Sequence, residues 1–146
     1  MTQVDIDAVL AANAELYQAV EEADFDRISA LWIDGPGGES AICVHPGWPP
    51  VRGRSAVLRS WAVIMANTPY IQFFLTDVRA EMAGDTAIVT CGENILTAID
   101  ADLGGGQVVS TNVFRRTPDG WRLWLHHASP LLRGEEPAEP GGEAEE

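Results

Sequence analysis

The spacing of apolar residues changes near Pro69 in this chain of 146 residues. Before Pro69, apolar residues recur every three or four positions, which is the period of an amphipathic helix. After Pro69, long runs resemble strands and are separated by turn residues. Because helices come first and a meander of strands follows, the chain is predicted to fold as an α+β domain with helices packed on one face of a curved antiparallel sheet.

Three helices are predicted in the first half. Thr2 and Asp5 resemble a capping box at the start of the first helix, and Asp24 is a suitable N-cap for a short second one. The third helix is predicted over residues 53–67. The stripe of the first helix contains Ile6, Val9, Leu10, Leu16, Tyr17 and Val20, with the polar Asn13 on the same side.

Five strands are predicted, the first being short and the others long. Residues 47–51 are expected to be irregular because consecutive prolines exclude regular pairing. Gly104–Gly106 is expected to be a flexible loop, and Pro118–Gly120 is a hairpin turn signal. The predicted strands are 40–44, 71–82, 86–99, 107–116 and 121–129.

The charge of the chain is acidic, with 22 acidic against 9 basic residues and a net charge of −13. Nucleic acid and anionic membrane surfaces attract basic patches, so neither is an expected partner. Residues 134–146 contain six Glu and no base, a composition that cannot bury apolar surface. We therefore predict one folded domain over residues 1–132 and an acidic disordered tail over residues 133–146.

Cofactor and compartment signals are few. Cys43 and Cys91 lie in predicted strands without metal or redox spacing, so both are expected to be buried free thiols in a reducing compartment. The N-terminus lacks the pattern of a signal peptide, and no apolar run is long enough to span a membrane, which predicts a cytoplasmic protein. Neither a phosphate-binding glycine loop nor a short metal-ligand spacing is present, so no cofactor and no metal is predicted.

Several motifs in this order resemble one family. They are ADFDRISALW around the second helix, CVHPGW at the end of the first strand, VRGRSAVLRSW opening the third helix and TNVFRRTPDGWRLWLHHASP in the last hairpin. Over about residues 4–132 the chain resembles the SnoaL-like branch of the nuclear transport factor 2-like superfamily. The resemblance implies a cone-shaped half-barrel with a deep pocket, dimerising through the outer face of the sheet.

Ketosteroid isomerase, from the same superfamily, provides a comparison for the site. The position of its general base corresponds to His45, and that of its protonated oxyanion-binding Asp to Asn112. The position of its helical Tyr corresponds to Leu16, so Tyr17 would have to turn inward to replace it. The resemblance further places an aromatic wall of the pocket at Trp61.

His45 is the first candidate for catalysis, because an imidazole exchanges protons near neutral pH. The alternative is that it bonds a backbone group and fixes the proline-rich loop. Asn112 is a candidate donor to a carbonyl or enolate oxygen, with a strand residue satisfied by water or by a neighbouring group as the alternative. Arg54 could attract an anionic substrate, although a surface role at a helix start is the favoured interpretation.

Adjacent strand residues point to opposite faces, so His126 and His127 cannot both enter one pocket. The resemblance places Trp124, His126 and Ala128 on the concave side and leaves Leu123 outside. Glu93 and Asn94 pose the same question of parity, and an inward Glu93 could orient a histidine. The aromatic candidates for the pocket wall are Tyr17, Trp32, Trp48, Trp61, Phe114 and Trp124.

These features predict a protein that binds a small apolar or aromatic carbonyl compound. If it is catalytic, it would perform cofactor-free proton transfer as an isomerase, dehydratase or cyclase, with His45 as base, Asn112 as oxyanion donor and His126 as an orienting group or second acid. The alternative is a non-catalytic ligand carrier or dimerisation module. An open pocket beside a His45 of shifted pKa would favour the enzyme, and a pocket filled by Trp side chains would favour the module.

Overall fold

The structure is a computed structural model that describes residues 2–99 and 102–132. The predicted acidic tail, residues 133–146, lies outside the described residues. Within the described ranges, none of the helices has the length and apolar character needed to cross a membrane.

The three predicted helices are confirmed, and side chains cap two of them. Helix α1 spans Gln3–Glu21, and α2 spans Phe25–Leu31. The N-cap side chain of Thr2 accepts a hydrogen bond from the backbone N–H of Asp5, and Asp24 accepts one from Arg27. Helix α3 spans Arg54–Asn67 and begins after Gly53, whose φ of +87° suits a residue without a side chain.

Six strands are present: β1 (Ile42–Val44), β2 (Val51–Arg52), β3 (Ile71–Ala83), β4 (Thr86–Ile99), β5 (Asp102–Thr117) and β6 (Gly120–Pro130). They form one curved, open sheet in the order β2-β1-β6-β5-β4-β3. The helices pack on its concave face, and the buried core lies between the two layers. This α+β architecture is the one expected from the sequence.

One pair of strands departs from the antiparallel prediction. Strand β1 runs parallel to β6, with Cys43 beside His126. A parallel pair needs a long crossover, and here α3 and four strands lie between the two partners. The pairing brings the end of β1, and therefore His45, beside the last strand.

Local differences from the predicted elements have identifiable causes. Gly35–Ser40 forms a 3₁₀ helix, so β1 begins later than predicted. Val51–Arg52 forms a short strand in the region expected to be irregular, because it pairs with β1. Gly104–Gly106 belongs to β5 rather than to a loop, since β4 is long enough to pair with it.

A β-bulge in β6 changes which side chains face the core. Val113 pairs with Leu125 while Phe114 pairs with Leu123, which leaves Trp124 as the extra residue. Leu123 is therefore fully buried, and Trp124 is half-buried, with its indole N–H donating to Ser40 Oγ. The predicted concave position of Trp124 and outer position of Leu123 were both wrong because a bulge reverses strand parity.

Candidate functional site

Side chains from four elements meet in the interior of the cone. Tyr17 of α1 donates to the carboxylate of Glu93 on β4 across 2.6 Å, and accepts from Nδ2 of Asn112 on β5 at 3.1 Å. Oδ1 of Asn112 lies 2.5 Å from Nδ1 of His126 on β6. All four side chains are buried. They form a continuous hydrogen-bonded chain. We call these four residues and their neighbours Asn13 and Ser110 the polar network.

Strand register explains how these residues share one face. Asn112 is directly opposite His126, and Ser110 is opposite Ala128, so this stretch of β5 and β6 turns alternate residues inward. On β4, Cys91 pairs with Ser110 and Glu93 faces the same interior. The polar network therefore follows from the two-residue period of three neighbouring strands.

His45 forms a second buried cluster at the end of β1. Its Nε2 lies 2.8 Å from Oγ of Ser60, whose hydroxyl donates to the carbonyl of Val57 at 2.6 Å. Trp48 and Trp61 contact the imidazole edge-on, with ring centroids 4.8 and 4.6 Å away. The side chain of His45 thus bonds a serine rather than the backbone, although its carbonyl does accept from the backbone N–H of Trp48.

The two histidine clusters are adjacent. The ring centroids of His45 and His126 are 6.3 Å apart, and Trp61 contacts both rings. Trp61 is itself buried, and within the described residues its indole N–H meets no acceptor better than the thiol of Cys43. The site therefore contains two imidazoles in a mainly aromatic surrounding.

Burial sets the charge of this interior. It lowers the pKa of His45 to about 4 and that of His126 to about 3, the latter with help from the charges that His45 and His127 would carry. Both rings are consequently neutral near pH 7. Burial also raises the pKa of the Glu93 carboxyl, and burial followed by the nearby Glu93 charge raises that of the Tyr17 hydroxyl.

The structure resolves the parity of the two ambiguous pairs. Glu93 faces inward, whereas Asn94 lies on the outer face, where it donates to the carbonyl of Phe74 and accepts from Gln107. His126 faces inward, and His127 is exposed on the outer face. Glu93 bonds Tyr17 rather than an imidazole, so it does not orient a histidine directly.

Asn112 does not occupy the role expected for it. Both hydrogens of its amide are taken within the protein, one by Oδ1 of Asn13 at 2.8 Å and one by Tyr17. With no exposed surface, the side chain has no hydrogen left for a ligand oxygen. The expected oxyanion donor is thus a link between α1 and His126.

The predicted aromatic wall is divided among several environments. Tyr17 and Trp61 belong to the site, and Trp48, which is 39% exposed, covers His45. Trp32 and Phe114 are buried in the hydrophobic core, and the Trp32 indole N–H has no hydrogen-bond partner among the described residues.

Three polar residues of the interior were not among the sequence candidates. Asn13 lies one helical turn before Tyr17, and Ser110 lies two residues before Asn112 on the same face of β5. The period of each element was sufficient to find these two. Ser60 had no comparable signal, because its partner His45 comes from another element.

Arg54 has a structural role. Its guanidinium donates to the carbonyls of Ser29, Trp32 and Ile33, near the C-terminal end of α2. These carbonyls lie where a helix lacks intrahelical partners, and a cation there is favourable. No part of this arrangement involves the polar network.

Three cavities among the described residues lie away from His45 and His126. A groove of about 730 Å³ opens on the outer face, where its lining includes Asn94, Val109, Leu125 and His127. Two smaller cavities lie near the start of α3 and around the last hairpin. None of these three is lined by His45 or His126, and Trp48 and Trp61 pack directly on His45. Nowhere in the described ranges do three His, Cys, Asp or Glu side chains gather as a metal site would require.

Fold and site together define an α+β cone with a buried polar network in its interior. Residues 9–133 match the family of SnoaL-like domains, and the chain belongs to that family. The predicted family is therefore confirmed.

Solved structures and one curated relative are also similar to this chain. The "putative dehydratase from the NTF2-like family" of Streptomyces avermitilis is 51% identical, with a TM-score of 0.85 over 91% of this chain and 100% of that one. A "putative calcium/calmodulin-dependent protein kinase type II association domain" from Thiobacillus denitrificans is 32% identical, with a TM-score of 0.73 over 84% and 94% of the two chains. The F-box protein SKIP8 of Arabidopsis thaliana is 23% identical over 125 residues, which are 86% of this chain. The matched part covers 50% of that relative, so the chain spans about half of its length.

Proposed function

We propose that this protein binds a small apolar or aromatic carbonyl compound inside the cone and converts it by cofactor-free proton transfer. The observation that carries this proposal is the pair of buried, neutral imidazoles of His45 and His126, with ring centroids 6.3 Å apart. A neutral imidazole has a ring nitrogen free to accept a proton, and a ring that has gained one can return it to another atom.

Dehydration of a β-hydroxycarbonyl compound is the reaction that we favour. The base removes a proton from the carbon next to the carbonyl, the C–O bond to the hydroxyl breaks, and a C=C bond forms. The proton then joins the departing hydroxyl, which leaves as water. No oxidant or reductant is consumed. The 51% identical Streptomyces avermitilis protein bears the name of a dehydratase, which supports this choice over isomerisation or cyclisation.

His45 is the proposed base because it lies nearest to an exposed segment. It immediately precedes residues 46–50, all of which are exposed, whereas His126 is covered by β-sheet neighbours and Trp61. Ser60 accepts from Nε2–H of His45, because the Ser60 hydroxyl already donates to a carbonyl. Nδ1 of His45 would then be the accepting atom, and substrate entry would require Trp48 to leave the imidazole.

The oxygen of the substrate needs a donor other than Asn112. The indole N–H of Trp61 is the group available, because its neighbour, the Cys43 thiol, is a weak acceptor. Trp61 also contacts both imidazoles. We propose that it binds the carbonyl oxygen, where charge develops during proton removal.

The test is turnover of a panel of β-hydroxy ketones with aliphatic and aryl substituents, followed by the ultraviolet absorbance of the conjugated product. His45→Gln and His126→Gln are each expected to lower kcat/KM by about 100-fold or more, the usual range for a lost acid–base group. The matched control is His127→Gln, on the exposed outer face, which should retain the wild-type rate. Undiminished turnover in His45→Gln would contradict the proposed base.

A second candidate, a non-catalytic dimerisation or ligand-carrying module, is favoured by the aromatic packing around His45. Trp48 and Trp61 pack directly on His45, and a 32% identical structure bears the name of an association domain. Native mass spectrometry separates the two candidates. A retained carbonyl compound would support a ligand site, whereas an empty homodimer together with no turnover across the panel would favour the module.

A further inference from the structure

We propose that Asn13 and Tyr17 are positioning residues, which orient the amide of Asn112 so that His126 carries its proton on Nδ1. The catalytic consequence of this proton position rests on the proposed function. The position of the proton is a property of the protein without substrate, and can be measured alone.

The first step concerns the amide nitrogen of Asn112. It faces two oxygens of α1, which are Oδ1 of Asn13 at 2.8 Å and the hydroxyl oxygen of Tyr17 at 3.1 Å. An amide nitrogen has two hydrogens, so both are used. Asn13 and Tyr17 are four residues apart, which places them on the same face of the helix.

The second step fixes Tyr17 as an acceptor towards Asn112. A phenol has one hydrogen, and that of Tyr17 is donated to the carboxylate of Glu93 at 2.6 Å. That single hydrogen is then unavailable to Oγ of Ser110, which lies 3.0 Å from the hydroxyl oxygen, and to Asn112. The hydroxyl oxygen of Tyr17 therefore has only lone pairs to offer, and the nitrogen rather than the oxygen of Asn112 must face it.

The third step transfers this orientation to His126. With its nitrogen towards α1, the amide of Asn112 presents Oδ1 to Nδ1 of His126 at 2.5 Å. A carbonyl oxygen has no hydrogen to donate, so Nδ1 of His126 carries one. Nε2 is then the nitrogen with the lone pair, and it makes no hydrogen bond within residues 2–99 and 102–132.

The orientation determines what His126 can do. With the proton on Nδ1, Nε2 can accept a proton from a bound molecule. If the amide of Asn112 were reversed, it would donate to Nδ1, and Nε2 would carry the proton and act as a donor. Two side chains of α1 that need not touch the substrate thus set the starting role of His126 on β6.

The experiment is nitrogen-15 NMR of protein labelled in its three histidines, with His45→Gln and His127→Gln used to assign the signals. In the wild type, the Nε2 shift of His126 should be that of a bare nitrogen and the Nδ1 shift that of a protonated one. Asn13→Asp keeps an acceptor and should leave these shifts in place. Asn13→Leu, and more strongly Asn13→Leu combined with Tyr17→Phe, should move both shifts towards the average of two tautomers.

The control is Tyr70→Phe, which removes an exposed hydroxyl outside the polar network. A wild-type His126 protonated on Nε2 would overturn the proposal, as would unchanged shifts in a folded double variant. If the double variant does not fold, the contrast between Asn13→Leu and Asn13→Asp decides in the same way. If NMR confirms the tautomer but the expected turnover is not found, that result counts against the proposed function only.

Discussion

The hydroxyl of Tyr17 donates a 2.6 Å hydrogen bond to the carboxylate of Glu93, a residue 76 positions further along the chain. The bond joins the first helix to the middle of the sheet and is buried on both sides. A buried carboxylate needs such a donor, because an unsatisfied charge is costly in a medium of low dielectric constant. The same hydroxyl also accepts from Asn112, so one oxygen connects α1, β4 and β5.

Tyr17→Phe should destabilise the protein by about 1–3 kcal/mol, because Glu93 loses one of its donors and Asn112 loses an acceptor. The free energy of unfolding in urea measures the effect. Tyr70→Phe removes the same hydroxyl from a side chain that is 43% exposed, and should change that energy by less than about 0.5 kcal/mol. Equal effects of the two substitutions would show that the polar network adds nothing to stability.

Acidification should destabilise the protein through its buried histidines. Their pKa values in the folded state, about 4 for His45 and about 3 for His126, lie below the ordinary value of 6.5, so the unfolded chain binds more protons between these limits. The stability that depends on the neutral form of these histidines is fully present above about pH 6.5 and is lost as the pH falls towards their folded-state pKa values. Within this range, each histidine can change the free energy of unfolding by about 1.4 kcal/mol per pH unit.

Comparison of variants isolates one histidine from the other titrating groups. The raised pKa of Glu93 acts in the opposite direction, since it opposes folding as the pH rises. We therefore expect urea unfolding between pH 4 and 7 to show a shallower pH dependence for His45→Gln than for the wild type. His127→Gln, changed on the exposed outer face, is the control and should keep the wild-type slope.

Arg54→Met should destabilise the end of α2, because three backbone carbonyls lose a charged donor. Hydrogen bonds to a charged group contribute about 1.5–3 kcal/mol each at most, and we expect a total loss of about 2 kcal/mol in urea unfolding. Arg59→Met is the control, since Arg59 lies exposed on the same helix. A loss of unfolding free energy of similar size in both variants would point to helix propensity as the cause instead.

Two neighbouring glycines of β5 should differ in their tolerance of a methyl group. A Cβ at Gly105 would collide with the carbonyl oxygen of Ile95 on β4, whereas one at Gly106 would meet no atom within 4 Å. Gly105→Ala should therefore lower the melting temperature, and Gly106→Ala should leave it unchanged or raise it slightly. Equal melting temperatures would contradict the pairing of β4 with this part of β5.

The outer face of the sheet is the proposed surface for a homodimer. Phe74, Ile88 and Val109 are exposed there, between 43% and 55%. Val109→Glu would place a charge in the interface and should raise the monomer fraction in light scattering coupled to size-exclusion chromatography. Val63→Glu is matched in exposure, 45%, but lies on α3 and should not alter the mass. A monomeric wild type would contradict this surface assignment.

The periods of the sequence predicted most of the elements, because helices and strands expose their apolar residues at different spacings. Strand β4 was predicted with the bounds that the structure shows, Thr86–Ile99. The prediction failed at Trp124 and Leu123, because a bulge adds one residue and depends on the partner strand. Gly104–Gly106 failed for a related reason, since the length of β4 rather than local composition keeps those glycines in the sheet.

The sequence by itself determined the family, the types of residue available to the interior, and the residue that directly follows β1, His45. Only the tertiary structure decided which of them meet. Hydrogen bonds such as that from Asn112 to Asn13 join residues 99 positions apart, and no local pattern specifies such a partner. The covering of His45 was decided in the same way, because the packing of Trp48 and Trp61 on its ring depends on where a loop and a helix from separate segments come to rest.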